Sequence, residues 1–138
     1  MERLPTVLLV EDEHVLRRLV AQFLRGAGYR VVEAADGQEG VDRFRDSGPF
    51  DLALVDLNLP VFSGVEVCRR VRRAAPGQPI IICSAAIMPE SEGALADLGI
   101  DHFLTKPYHP EVLLAHIQDE LAPRPPAAAG PRLMPGRA

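Results

Sequence analysis

The sequence predicts an α/β fold in which helices cover both faces of a doubly wound, five-stranded parallel sheet. Five short apolar runs, several of them rich in β-branched residues, recur along the chain, and each is about as long as a strand. Successive runs begin about 20 to 28 residues apart, which leaves room for one helix between each pair. This alternation is typical of parallel sheets, because parallel strands need long crossover connections that are usually helical.

The predicted strands are the apolar runs themselves. They comprise Thr6 to Val10, Arg30 to Val32, Leu52 to Val55, Pro79 to Cys83 and Phe103 to Leu104. The pattern alone does not give the order of the strands in the sheet. The flavodoxin-like order 2-1-3-4-5 is one of two common solutions for doubly wound sheets, and we adopt it as the expected order.

The first two helices are predicted from the spacing of apolar residues. In the segment from Val15 to Leu24, apolar side chains recur at steps of three and four residues, and Gly26 and Gly28 suit the end of such a helix. Val41 and Phe44 indicate a short second helix.

The remaining three helices have start signals or an apolar face. The third is predicted from Val65 to Val71, where apolar positions alternate with arginines. Pro89 suits the start of a fourth helix that continues towards Leu98. Pro110 suits the first position of a fifth helix, whose apolar face runs from Leu113 to Leu121.

The chain is predicted to contain one domain followed by a tail. A chain of 138 residues is long enough for one domain with a real core and too short for two ordinary ones. We assign residues 1–121 to the domain. Residues 122–138 contain five prolines and two glycines without a helical or strand period, which predicts a flexible tail or linker.

Composition excludes several classes of function. Residues 1–121 carry 12 basic and 19 acidic side chains, so we expect no direct contact between this part of the chain and nucleic acid. No apolar stretch approaches the roughly 20 residues of a membrane span, and the start of the chain does not resemble a signal peptide. We therefore expect a cytoplasmic protein without membrane contact.

The cysteines and histidines do not have metal-site spacing. Cys68 and Cys83 lie in apolar stretches, so we expect buried free thiols. The histidines fall in different predicted elements, which argues against a zinc site. They are His14, His102, His109 and His116.

Polar residues follow four of the five predicted strands. Ligands of open α/β sheets bind beyond the carboxyl ends of the strands, so these residues are expected to meet at one edge. They are Glu11 and Asp12 after the first strand, Asp56 after the third, Ser84 after the fourth and Lys106 after the fifth. Three neighbouring carboxylates repel one another unless a cation lies among them, and Mg²⁺ prefers such oxygen ligands.

Asp56 is the best candidate for a nucleophile. It ends the segment LALVD, near the middle of the expected sheet, and a carboxylate can attack phosphorus to give an aspartyl phosphate. Lys106 would neutralise charge on the phosphoryl group and Ser84 would donate a hydrogen bond to it. Each residue alone has an ordinary structural explanation as a cap, a turn or a loop residue, so the prediction rests on their combination.

Four segments, LLVEDE, LALVDLNLPVFSG, IIICSA and FLTKP, resemble the signature blocks of response-regulator receiver domains, over about residues 5–121. The resemblance implies that Glu11, Asp12 and Asp56 form an Mg²⁺ pocket, with the backbone carbonyl of Asn58 as a further ligand. It also implies that Asp56 accepts phosphate from a sensor histidine kinase or a histidine phosphotransfer protein. The chain would then be a signalling phosphoacceptor, which catalyses only its own phosphorylation and dephosphorylation. Lys106 and Pro107 match a position where the family commonly has a cis peptide bond.

The resemblance further implies a switch that controls a downstream effector protein or domain. Ser84 is expected to move towards the phosphoryl oxygens, and Phe103 to turn into the space that it leaves. The fourth helix, fifth strand and fifth helix would form the output face, and a phosphorylation-dependent homodimer through the fifth helix is possible. Tyrosine is frequent at the position of Phe103, and we predict that phenylalanine favours the buried rotamer even without phosphate.

Three alternatives share parts of this pattern. A receiver-like interaction module would not accept phosphate, although Asp12, Asp56, Ser84 and Lys106 are all in place. A haloacid-dehalogenase-like phosphatase needs a second acid two residues after its nucleophile, where this chain has Asn58. A flavodoxin-like electron carrier needs a phosphate-binding loop after the first strand, where this chain has acids.

Overall fold

The structure, a computed structural model, describes residues 3–123, and most of the predicted tail lies outside the described residues. The strands are β1 (Thr6–Val10), β2 (Arg30–Ala34), β3 (Leu52–Asp56), β4 (Ile80–Ser84) and β5 (Phe103–Thr105). The helices are α1 (His14–Gly26), α2 (Gly37–Ser47), α3 (Gly64–Ala74), α4 (Pro89–Asp97) and α5 (Pro110–Leu121). All ten predicted elements are present. The division into a domain of residues 1–121 and a tail stays a prediction.

The five strands form one parallel sheet in the order β2-β1-β3-β4-β5. This confirms both the predicted fold class and the flavodoxin-like order. Four strand ends differ from the prediction, because β2, β3, β4 and β5 each end one or two residues later than expected. Asp56 and Ser84 are consequently the last residues of β3 and β4 and do not follow them. The ladder continues past the last apolar residue of each strand, since Asp56 pairs with Cys83 and Ser84 with Thr105.

Alternate residues of each strand pack on opposite faces of the sheet, as the pleat requires. Val7 and Leu9 of β1 belong to a buried cluster that includes side chains of α1 and α5. Leu8 and Val10 belong to a second buried cluster that includes side chains of α2, α3 and α4. Helices therefore cover both faces, which explains why the central strands are apolar throughout.

The start of α3 packs directly against the end of β3. The backbone N–H of Gly64 donates to the carbonyl of Leu57 at 2.9 Å. A Cβ atom at Gly64 would lie 2.2 Å from the backbone oxygen of Asp56, so only glycine fits this close approach. The loop between β3 and α3 is thereby held in a fixed relation to Asp56.

Both cysteines are buried and free, as predicted. Burial raises the pKa of each thiol to about 12, so neither is a thiolate at neutral pH. Within residues 3–123, no helix has the length and apolar character needed to cross a bilayer.

Candidate functional site

Three carboxylates meet at the edge of the sheet where β1 and β3 end. Oxygen atoms of Glu11, Asp12 and Asp56 all lie within 4.8 Å of one another. Glu11 and Asp56 are buried, whereas Asp12 is exposed. Glu11 continues directly from β1, and its backbone N–H donates to the carbonyl of Ala34 at 3.0 Å. The sheet itself therefore positions two of the three acids, and the predicted convergence of the three is what the geometry shows.

Lys106 brings an ammonium group into the same cluster. Its Nζ donates to Oε1 of Glu11 at 2.6 Å and to Oδ2 of Asp56 at 2.7 Å. The backbone N–H of Lys106 donates to the carbonyl of Ser84 at 2.9 Å, which extends the pairing of β4 and β5 up to the lysine. The peptide bond between Lys106 and Pro107 is cis, as expected.

Burial and charge act in opposite directions on this cluster. Burial raises the pKa of Glu11 above its ordinary value of 4.5, and the hydrogen bond from Lys106 opposes that rise. Burial alone would lower the pKa of Lys106, but its hydrogen bonds to Asp56 and Glu11 outweigh burial and hold that pKa above 10.5. Lys106 is therefore fully charged at neutral pH. One ammonium among three carboxylates leaves room for a further positive charge.

The donor set of the cluster fits Mg²⁺. It consists of carboxylate oxygens from Glu11, Asp12 and Asp56, which are the hard ligands that this ion prefers. Asp12 is exposed and opens the cluster to solvent, from which the ion would keep part of its water shell. Asn58 is also exposed, and its backbone N–H donates to Oδ1 of Asp56 at 3.0 Å. The loop after β3 therefore folds back over the carboxylate of Asp56.

The two predicted switch residues, Ser84 and Phe103, make contacts outside the acidic cluster. The Ser84 side chain is buried, and its hydroxyl donates to the carbonyl of Ala86 at 3.0 Å. That bond occupies the hydroxyl proton, so donation to another acceptor requires breaking it. Phe103 is half-buried and packs against the cluster of α2, α3 and α4. Its preference for the buried rotamer without phosphate stays a prediction.

Arg17 supports the acidic loop between β1 and α1 (Glu11 to Glu13). The sequence did not indicate this role of Arg17. Its guanidinium donates to the backbone carbonyl of Glu11 at 3.1 Å and to the carboxylate of Glu33 at 3.2 Å, and the side chain is only 12% exposed. It thus ties the acidic loop to α1 and β2. In the sequence, Arg17 is indistinguishable from Arg18 beside it, whose side chain is 50% exposed.

An apolar surface borders the site. Val15 and Leu19, one turn apart on α1, are 61% and 59% exposed. Beside them lies an apolar cavity of about 300 Å³ that Leu16, Pro107 and Tyr108 line together with Ala85 and Lys106. The acidic cluster therefore opens next to an apolar surface.

A sequence model of the response regulator receiver domain family matches residues 7–118. The chain is 38% identical over 119 residues to the response regulator ArlR of Staphylococcus epidermidis, covering 86% of this chain and 53% of ArlR. It is 36% identical over 117 residues to the alkaline phosphatase synthesis transcriptional regulatory protein SphR of Synechococcus elongatus, covering 79% of this chain and 46% of SphR. The chain thus spans about half the length of these relatives.

Solved structures give the same result. A CheY-like receiver domain protein from Methanospirillum hungatei superposes with a TM-score of 0.82 at 29% identity, covering 86% of this chain and 94% of that one. The chemotaxis protein CheY4 of Vibrio cholerae superposes with a TM-score of 0.80 at 33% identity, covering 86% of this chain and all of that one. The fold and the arrangement of sequence blocks therefore agree with one family.

Proposed function

This chain belongs to the family of response-regulator receiver domains, and on that premise we propose that Asp56 accepts a phosphoryl group in an Mg²⁺-dependent reaction. The observation that carries the proposal is the contact of Lys106 with both Glu11 and Asp56 in a largely buried cluster. A charge-neutralising ammonium beside a carboxylate at a strand end suits phosphoryl transfer, in which the protein mainly supplies position and charge.

The transfer follows from the groups in place. An oxygen of Asp56 attacks phosphorus, and the new P–O bond forms as the P–N bond to the imidazole of the donor breaks. During the transfer, negative charge shifts from the carboxylate of Asp56 to the phosphoryl group. The ammonium group of Lys106 would then leave the carboxylate and contact a phosphoryl oxygen. The residues that would hold Mg²⁺ are Glu11, Asp12, Asp56 and the backbone carbonyl of Asn58, and the ion supplies charge neutralisation when bound.

The partner that donates phosphate would be a sensor histidine kinase or a histidine phosphotransfer protein. The exposed apolar residues Val15 and Leu19 lie on α1, which begins at His14, three residues after Glu11. A partner that covers this surface would bring its phosphohistidine to the mouth of the cluster. The surface supports docking of a protein donor, whereas a small phosphodonor would not need it. As a receiver that takes phosphate from such a partner, the protein would work in the cytoplasm.

The output would pass through Ser84 and Phe103 to the face formed by α4, β5 and α5. A phosphoryl oxygen on Asp56 would attract the hydroxyl of Ser84 away from the carbonyl of Ala86, because a charged acceptor binds a hydroxyl more strongly than a carbonyl does. Phe103 on β5 would then repack. A downstream effector protein or domain, or a second copy of this chain, would recognise the altered face.

One assay tests phosphorylation. The protein is incubated with Mg²⁺ and acetyl phosphate, and a base-labile phosphoryl adduct is sought by intact-mass spectrometry. We expect one adduct that Asp56→Asn abolishes and that the matched variant Asp46→Asn, at an exposed acid on α2, retains. An adduct that survives Asp56→Asn would contradict the assignment. Failure of the wild type to form any adduct would favour the interaction module, and continuous phosphate release from esters would favour a phosphatase.

A further inference from the structure

A second polar cluster lies where β5 begins, at the opposite edge of the sheet from Asp56. His102 immediately precedes β5, and His116 and Glu120 lie one turn apart on α5. Nε2 of His102 is 2.8 Å from Nδ1 of His116, and Nδ1 of His102 is 2.8 Å from Oε1 of Glu120. The side chains of His102 and Glu120 are only 14% and 18% exposed. The spacing of the histidines in the sequence did not indicate this contact, which follows from how α5 packs beside the start of β5.

The carboxylate determines which nitrogen of His102 carries the proton. As a carboxylate, Glu120 can only accept, so Nδ1 of His102 carries a proton and donates it. A neutral His102 therefore directs the lone pair of Nε2 at His116. Metal-binding histidines in proteins almost always have this arrangement, in which an outer carboxylate fixes the tautomer and the orientation of the ring.

We propose that His102 and His116 form a binding site for a divalent transition-metal ion such as Zn²⁺. The carboxylate of Glu120 orients the ring of His102 in this site. Imidazole nitrogen is a preferred ligand of Zn²⁺, Cu²⁺ and Ni²⁺. Two nitrogens on a tetrahedral Zn²⁺, with bonds of about 2.0–2.1 Å, are about 3.3 Å apart. The observed separation of 2.8 Å thus has to widen by about half an ångström. The proton that Nδ1 of His116 donates to His102 leaves on binding and is taken up at Nε2 of His116 or by solvent.

An ion can approach the pair from the side of His102. A cavity of about 300 Å³ lies against the cluster on the side of His102 and Glu120, and Asp101 and Arg72 also line it. Asp101 and Glu120 favour the entry of a cation and Arg72 opposes it, so two acids stand against one base at this cavity, and water would complete the coordination. Because the two ligands come from the start of β5 and from α5, a bound ion would fasten these two elements together.

The test is a Zn²⁺ titration of the full chain in excess Mg²⁺, followed by calorimetry and by the NMR signals of the imidazole Cε1–H groups. We expect the signals of His102 and His116 to shift at one equivalent, while those of His14 and His109 do not. We expect His116→Gln to abolish binding at this site, and Glu120→Gln to weaken it about ten- to a hundredfold. The matched control is His109→Asn, at an exposed histidine that caps α5, which should bind Zn²⁺ as the wild type does.

Three results would overturn the proposal. The first is equal Zn²⁺ affinity of the wild type and His116→Gln, and the second is a wild type in which the signals of His102 and His116 do not respond. The third is binding that disappears in Asp12→Asn, because the ion would then occupy the acidic cluster instead. Circular dichroism without Zn²⁺ checks that each variant is folded. Should His116→Gln fail to fold, the wild-type NMR signals and Glu120→Gln still decide.

Discussion

Replacing Lys106 with methionine is the sharpest test of the acidic cluster. Methionine keeps much of the length and apolar stem of lysine but removes the ammonium that contacts both Glu11 and Asp56. Both acids are then left in a buried cluster without their cation. In Mg²⁺-free buffer at neutral pH we expect the variant to be substantially less stable than the wild type, because an uncompensated buried charge is costly.

The size of the effect follows from burial. Removing one partner of a buried ion pair costs about 3–5 kcal/mol. Lys106 keeps 18% of its side chain exposed, so screening by solvent places the expected loss at the lower end, about 3 kcal/mol. For a domain of this size that loss corresponds to a fall in Tm of about 10 °C. Mg²⁺ should recover part of the loss, and should stabilise the variant more than the wild type, because the competing ammonium is gone.

The loss should depend on pH in a defined direction. The pKa of Lys106 in the folded protein lies above 10.5. Its contribution to stability is therefore present at neutral pH and is lost only as the pH rises from 10.5 through the folded pKa. At the acid end, protonation of Glu11, whose pKa burial raises, removes part of the charge that the lysine balances, so the difference between wild type and variant should shrink. The difference is therefore largest in the neutral range.

Urea unfolding followed by circular dichroism measures this difference, with and without Mg²⁺. The matched control is Arg43→Met, which removes an exposed cation on α2 and should change the free energy of unfolding by no more than about 0.5 kcal/mol. If Lys106→Met is as stable as the wild type at neutral pH without Mg²⁺, then the ammonium does not balance the buried carboxylates, and the account of the cluster is wrong.

Three further predictions concern neighbouring residues. Gly64→Ala should lower the free energy of unfolding by about 1–3 kcal/mol in urea titrations, because the added Cβ would lie 2.2 Å from the backbone oxygen of Asp56. Leu19→Ser should leave stability within about 0.5 kcal/mol and leave labelling by acetyl phosphate unchanged, but slow phosphoryl transfer from a histidine phosphotransfer protein. Burial raises the folded pKa of Glu11 above 4.5, so in Mg²⁺-free buffer its contribution to stability falls as the pH rises from 4.5 through that pKa. Glu11→Gln should remove this fall, which unfolding curves across that pH range would detect.

The sequence predicted the fold and the acidic cluster because both depend on local pattern and parallel topology. Strand-length apolar runs with helical segments between them require a parallel sheet, and in such a sheet all strands end at one edge. Glu11, Asp56 and Lys106 stand at those ends, so their meeting follows from the chain order. The exact strand ends were less predictable, because a hydrogen-bonded ladder can continue through a polar residue such as Ser84.

Contacts that depend on packing between elements were not predictable in the same way. Arg17 reaches the carbonyl of Glu11 only because of the position that α1 takes on the sheet. His102 meets His116 because the start of β5 lies beside the second half of α5. Neither contact follows from hydrophobic periodicity or from a sequence motif. Two polar residues of one helix can look alike in the sequence, although one contacts another element and the other faces solvent.

The switch that we propose has a limited energy source. A neutral hydrogen bond contributes about 0.5–1.5 kcal/mol and one to a charged group about 1.5–3 kcal/mol. Moving the hydroxyl of Ser84 from the carbonyl of Ala86 to a phosphoryl oxygen would therefore gain about 1–1.5 kcal/mol, or roughly a tenfold shift in population. Phe103 has no hydroxyl, so it cannot add a hydrogen bond in either state. A larger shift would have to come from the repacking of Phe103 or from a partner that binds only the phosphorylated face.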